Sequence, residues 1–210
     1  MTLLLLLLAC AGLSDAERVR ASGDAPDFLT AMDICPEADG ACKMEAVVRF
    51  AAWPRCADVP HPWDDECRFR QAEAVERTDD GPAAFALCHS TIYEVGCATH
   101  VAGQQARRTE AVTDAAERWE RLAPHTNERF AFDYWRGFWR THIDRGDAPA
   151  IESCPSRVCR DAGGREIEAT VHTLAIPCGA AREPPGWIPA GSVASKAAWD
   201  AALSRHCVGG

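Results

Sequence analysis

A mainly α-helical domain stapled by disulfides is the fold class this sequence predicts, on three observations. Eleven cysteines are spread over 210 residues. Apolar side chains recur at helical spacing through most of the chain beyond residue 26. Breaks rich in Pro, Gly and Asp divide those stretches into helix-sized pieces. A chain of this length builds one domain with a sizeable core. Residues 27–210 are therefore read as a single disulfide-rich helical domain, preceded by a signal peptide over 1–10 and a flexible tether over 11–26.

The tether rests on GLSDAERVRASGDAP, Gly12 to Pro26, which is small, polar and charged. Helices follow over Asp27 to Ile34 and Lys43 to Trp53; the second places Val47, Val48, Phe50 and Ala51 near one face and ends at Pro54. Pro60 and Pro62 make Asp58 to Trp63 irregular. Asp64 or Asp65 then caps a helix to Arg77, halted by the turn sequence Thr78-Asp79-Asp80-Gly81-Pro82. One long helix is expected from Ala83 to Leu122, with an interruption near Gly103 and an apolar face of Val112, Ala115, Trp119 and Leu122. Thr126 caps the next, Asn127 to Ile143, and residues 144–164 read as loop with one helical turn. Over 165–176 two periods compete. Ile167, Ala169 and Val171 alternate as in a strand, while Ile167, Val171 and Leu174 fit a helix, so a short β element is one of two readings there. Ser195 caps a last helix that reaches His206.

With 31 acidic against 22 basic residues the chain carries a formal charge of -9, and Lys43 and Lys196 are its only lysines. Binding to nucleic-acid backbones is driven by clustered Lys and Arg, so nucleic acid is not expected as a partner and the acidity reads as solubility. Leu3 to Ala9 is an apolar run of signal-sequence length, far below the roughly 20 residues of a membrane span. So many cysteines behind such a run point to export into an oxidising compartment. Leu7-Leu8-Ala9-Cys10 resembles the lipobox of bacterial lipoproteins. That resemblance implies that Cys10 becomes the acylated first residue and anchors the protein in the bacterial cell envelope. Ala9-Cys10-Ala11 also fits ordinary signal cleavage, which would release the protein to the medium.

Removing Cys10 leaves an even ten for disulfides: Cys35, Cys42, Cys56, Cys67, Cys88, Cys97, Cys154, Cys159, Cys178 and Cys207. Direct pairs across short loops are expected for Cys35 with Cys42 and Cys154 with Cys159, while Cys178 with Cys207 ties the last helix to the Pro-rich loop before it. The central four lie almost symmetrically about the Asp79 to Pro82 turn. Two antiparallel segments there would join Cys67 to Cys88 and Cys56 to Cys97. This spacing loosely resembles the twin-cysteine helical hairpin of small intermembrane-space proteins over residues 56–97, a resemblance of geometry that carries no function. On one continuous helix Cys88 and Cys97 would stand about 13 Å apart, out of each other's reach. Cys88-His89 with Cys97-x-x-His100 has metal-ligand residue types but no standard zinc spacing, so no metal and no cofactor is assigned.

No nucleophile, phosphate-loop or metalloprotease motif occurs. The candidate site is the aromatic helix FAFDYWRGFWRTHID, Phe130 to Asp144. Apolar side chains around so much of a helix usually mean burial. The functional alternative is a groove in which Trp135 or Trp139 stacks on a ligand while Arg136 and Arg140, one turn apart, hold its acidic group. The expected role is non-catalytic, either binding of an envelope or extracellular ligand or a structural part of the envelope. The competing expectation is a secreted hydrolase with its site beside residues 128–143, drawing on Glu128, Asp133 and His142. Asp133 and His142 lie on opposing helix faces, so a histidine from another segment would be needed.

Overall fold

The structure, a computed structural model, describes residues 14–178 and 183–207. The export signal at Leu7-Leu8-Ala9-Cys10 lies outside them. The described chain is mainly α-helical, with five disulfides and no strand among its elements. It divides into two compact units, one ending at Cys97 and one beginning at Ala98.

The first unit opens with a helix where a tether was expected. Glu17 Oε2 accepts from the Ser14 N–H at 2.8 Å, and the Ser14 hydroxyl accepts from the Glu17 N–H, closing a capping box that starts α1, Asp15–Gly23. Ser22 and Ala25 are buried, so the tether reading is corrected for this part of residues 11–26: small residues there pack closely instead of keeping the chain loose. Helix α2, Phe28–Ile34, is capped by Asp27, and α3, Gly40–Arg49, by Asp39. Helix α4 is Trp63–Arg77 and α5 is Gly81–Cys88, the latter capped by Asp80. Met44, Val47, Cys56, Val59 and Cys67 form one buried cluster, and Ala25, Ala31 and Ala46 another.

The single helix expected from Ala83 to Leu122 is three: α5, α6 over Glu94–Ala106, and α7 over Val112–Leu122. At the end of α5 the Ser90 and Thr91 hydroxyls donate to the Leu87 and Cys88 carbonyls, at 2.7 and 3.1 Å, offering the backbone local partners other than the next helical turn. The chain reverses, and Cys97 returns to within 5.4 Å of Cys88, Cα to Cα, to form a disulfide. This corrects the expected cross-pairing of the central cysteines, because Cys56 bonds Cys67 instead. The 3-10 segment Trp53–Asp58 supplies Cys56, and the Pro60 to Pro62 bend folds it back on α4. Cys35–Cys42, Cys154–Cys159 and Cys178–Cys207 pair as their spacing suggested.

In the second unit α8, Ala131–Arg145, packs against α7 and against α9, Arg157–Leu174, which in turn packs on α10, Val193–His206. Residues 165–174 lie in the second half of α9, so the strand reading falls. Ser156 caps α9 by accepting from the Cys159 N–H at 3.1 Å, and Ile167 and Val171, four residues apart, are both buried on one face. Five disulfides suit a protein that matures outside the reducing cytosol. Among the described residues no helix is long and apolar enough to cross a membrane.

Candidate functional site

The aromatic helix is core. Trp135 is 2% exposed and Trp139 0%, with Tyr134 and Phe138 equally buried. Trp139 Nε1 donates to the Cys159 carbonyl at 3.0 Å, and the Tyr134 hydroxyl donates to the Ala115 carbonyl at 2.9 Å. Burial pushes the Tyr134 phenol far above its usual range. The expectation that Trp135 or Trp139 stacks on a ligand is thereby corrected: both indoles are buried, and Trp139 is packed against Gly163 of α9.

Arg136 and Arg140 do sit together at the surface of that core. Both reach Glu166 on α9, whose side chain is only 4% exposed. Arg136 Nε donates to Glu166 Oε1 at 2.6 Å, and Arg140 Nε donates to Oε2 at 3.0 Å with Nη2 3.4 Å from Oε1. Held by Nε, the guanidinium groups are fixed in orientation while Arg136 keeps both terminal nitrogens, and Arg140 keeps Nη1, for other partners.

Both arginines line a recess of about 200 Å³ between α8 and the segment Thr99 to Arg107. Its α8 wall is Asp133, Arg136, Gly137 and Arg140, at helical spacing; facing them are Thr99, His100, Gly103, Gln104 and Arg107. A Cβ on Gly137 would lie 2.7 Å from the Gly103 Cα, so the glycine at 137 lets the backbones meet, and the longer side chains on either side enclose the recess. Arg107 is exposed and makes no ion pair among the described residues. The Thr99 hydroxyl donates to Asp133 Oδ2 at 3.0 Å. Thr99, Gln104, Arg107 and Glu166 were not anticipated as site residues, and His100 was singled out only for its metal-ligand residue type. Gly103 carried a signal too, and that signal was read as an interruption.

The other expected catalytic groups do not converge. Glu128 is exposed on a 3-10 turn. His142 is 3% exposed, with Nδ1 2.9 Å from Asp147 Oδ1 and Nε2 3.3 Å from the Thr109 carbonyl, so both ring nitrogens are taken. Cys88 and Cys97 are disulfide-bonded and offer no thiolates to a metal. His61, Asp64 and Asp65 place ligand atoms close together, but Arg68 lies 3.9 and 3.8 Å from the two carboxylates and the Ile92 N–H donates to Asp65. On the far side of Arg136 a shallower groove of about 510 Å³ contains Glu168, His172 and His206. Glu168 Oε1 there accepts from Arg205 Nε at 3.0 Å and lies 2.8 Å from His206 Nε2. Compared with known proteins, the chain matches no family model, no curated protein and no solved structure.

Proposed function

We propose that the chain is an exported cell-envelope protein, lipid-anchored at Cys10, whose role is to bind a small acidic ligand in the recess beside α8. One observation carries the reading: a buried carboxylate, Glu166, holds two guanidinium groups with terminal N–H donors left over, and Arg107, which makes no ion pair among the described residues, borders the same recess. Guanidinium groups fixed in this way recognise carboxylates at low entropic cost. The export part is supported by the five disulfides and the leader-like start.

Two measurements test it. The intact mass of the mature protein from its native membrane, with and without reductant, should show an acylated chain beginning at Cys10 that gains the mass of five reduced bridges; an unmodified chain beginning further on would remove the anchor. Calorimetric titration of the oxidised protein with hexanoate at low ionic strength should show saturable binding, weakened about tenfold in Arg107→Gln, the loss of one charge-assisted hydrogen bond. No saturation up to about 10 mM, a 2.7 kcal/mol threshold by affinity arithmetic, would overturn the binding role.

A hydrolase reading has one observation in its favour: His100, from a different helix, lines the recess with Asp133. Turnover of nitrophenyl esters that disappears in both His100→Ala and Asp133→Asn would establish it in place of simple binding.

A further inference from the structure

The two ends of the recess differ in sign. Thr99 contacts Asp133, and one helical turn further along each chain Gly103 contacts Gly137. Contacts that advance in the same order on both helices mean that the two run parallel, in register at an offset of 34 residues. Arg107, just past the end of α6, lines the same recess as Arg140, and the offset of 34 puts it opposite residue 141, next to Arg140. Asp133, Thr99 and His100 therefore occupy one end of the recess, Arg107 and Arg140 the other, with Arg136 between, fastened sideways to Glu166. Seven residues of helix from Asp133 to Arg140 separate the ends by about 10 Å.

We propose that the recess takes a zwitterion: a ligand whose amino group meets Asp133 and whose carboxylate meets Arg107 and Arg140, joined by a slender chain. This rests on the proposal that the recess binds an acid, and adds to it the second, cationic group and the spacing. Asp133 points the same way. Thr99 occupies only Oδ2; Oδ1 is left to accept from an ammonium group, and a carboxylate in a recess meant for anions alone would repel its ligand. The floor is consistent with a thin linker, because Gly103 and Gly137 carry no side chains there and a Cβ on Gly103 would meet no protein atom within 4 Å.

Three probes of equal length on the oxidised full chain test this: 6-aminohexanoate, hexanoate and hexylamine, titrated calorimetrically at low ionic strength. The zwitterion should bind at least about tenfold more tightly than hexanoate, one charge-assisted contact's worth, and hexylamine weakest. Asp133→Asn should bring the zwitterion down to the hexanoate level and leave hexanoate unchanged or slightly tighter. Gly103→Leu, which fills open space, should abolish binding of both acids while the melting temperature stays within a few degrees of the parent. Equal binding of zwitterion and hexanoate would overturn the dipolar site and leave the acid site standing. Binding of neither would remove both. Binding unaffected by Gly103→Leu would place the ligand elsewhere and overturn the inference as well.

Discussion

Gly163 lies so close to the indole of Trp139 that a Cβ there would stand 2.5 Å from Cε2. Trp139 has no room to retreat, being fully buried and bonded through Nε1 to the Cys159 carbonyl. Gly163→Ala should therefore destabilise the second unit by about 1–3 kcal/mol, the usual cost of overfilling a packed core, read as a lower midpoint in chemical denaturation. An unchanged midpoint would mean that the indole can shift. Glu166 is the other residue on which much depends. Glu166→Gln keeps the volume but replaces an acceptor-only group with one that points an NH2 at a guanidinium. It should cost about 1–3 kcal/mol, since the arginines it holds are themselves 39% and 49% exposed and recover water. The same variant should weaken hexanoate binding, because Arg136 and Arg140 lose their fixed orientation. Destabilisation without any effect on binding would make the clamp purely structural.

At the scale of elements, helix ends and bridges decide the fold. Ser156→Ala removes the cap of α9 and should cost about 1 kcal/mol. Breaking one central bridge as the double variant Cys88→Ser, Cys97→Ser should cost about 2–3 kcal/mol, since the loop it closes spans nine residues. Peptide mapping under non-reducing conditions should recover Cys56 with Cys67 and Cys88 with Cys97; a Cys67–Cys88 peptide would contradict the structure. Helices with strong local signals were legible from residues alone. The helical spacing over Asp27 to Ile34 matches α2, and the apolar face of Val112, Ala115, Trp119 and Leu122 falls on α7, although it was read as the end of one longer helix. The break inside Ala83 to Leu122 was not, because Ser90 and Thr91 tolerate a helix and leave it only when their hydroxyls turn back on Leu87 and Cys88. That one missed turn hid the Cys88–Cys97 bridge, and with it the whole central pairing. The site was half legible for a similar reason. Arg136 and Arg140 share a helix face that spacing reveals, whereas Glu166 and the Thr99 to Arg107 wall come from other helices, and their register with α8 is a tertiary fact. The buried indoles of Trp135 and Trp139 show which of two readings of an all-round aromatic helix prevails when neighbours exist on every side.

For the whole molecule, acid separates local strength from overall stability. The Ala194 N–H and Ser192 hydroxyl donate to Glu152, both at 2.6 Å, and lower its pKa by stabilising the carboxylate at the start of α10. Hydrogen bonding to the His206 ring lowers that of Glu168 most, burial opposes it, and the charge of Arg205 adds a smaller lowering. The Thr30 N–H and hydroxyl do the same for Asp27 at the start of α2. A carboxylate with a lowered folded-state pKa contributes stability that is complete above its unfolded pKa and lost as the pH falls through the folded value. Melting temperature should accordingly be nearly flat from pH 7 to about 5 and decline below about pH 4, the ordinary carboxylate range. The disulfides do not titrate, so the decline should appear in the oxidised protein with all five bridges intact. Protonation also turns a chain with 31 acidic and 22 basic residues from net negative to net positive, which adds self-repulsion in the same direction at low salt. Added salt separates the two contributions: it screens the repulsion between exposed charges but leaves the hydrogen bonds at Glu152 largely in place. Glu152→Gln, which loses the charge at every pH, should lower the pH 7 midpoint and flatten the acid decline in both low and high salt. A midpoint that rises on acidification, or a Glu152→Gln profile parallel to the parent's, would show that these carboxylates do not hold the helix starts to which they are bonded.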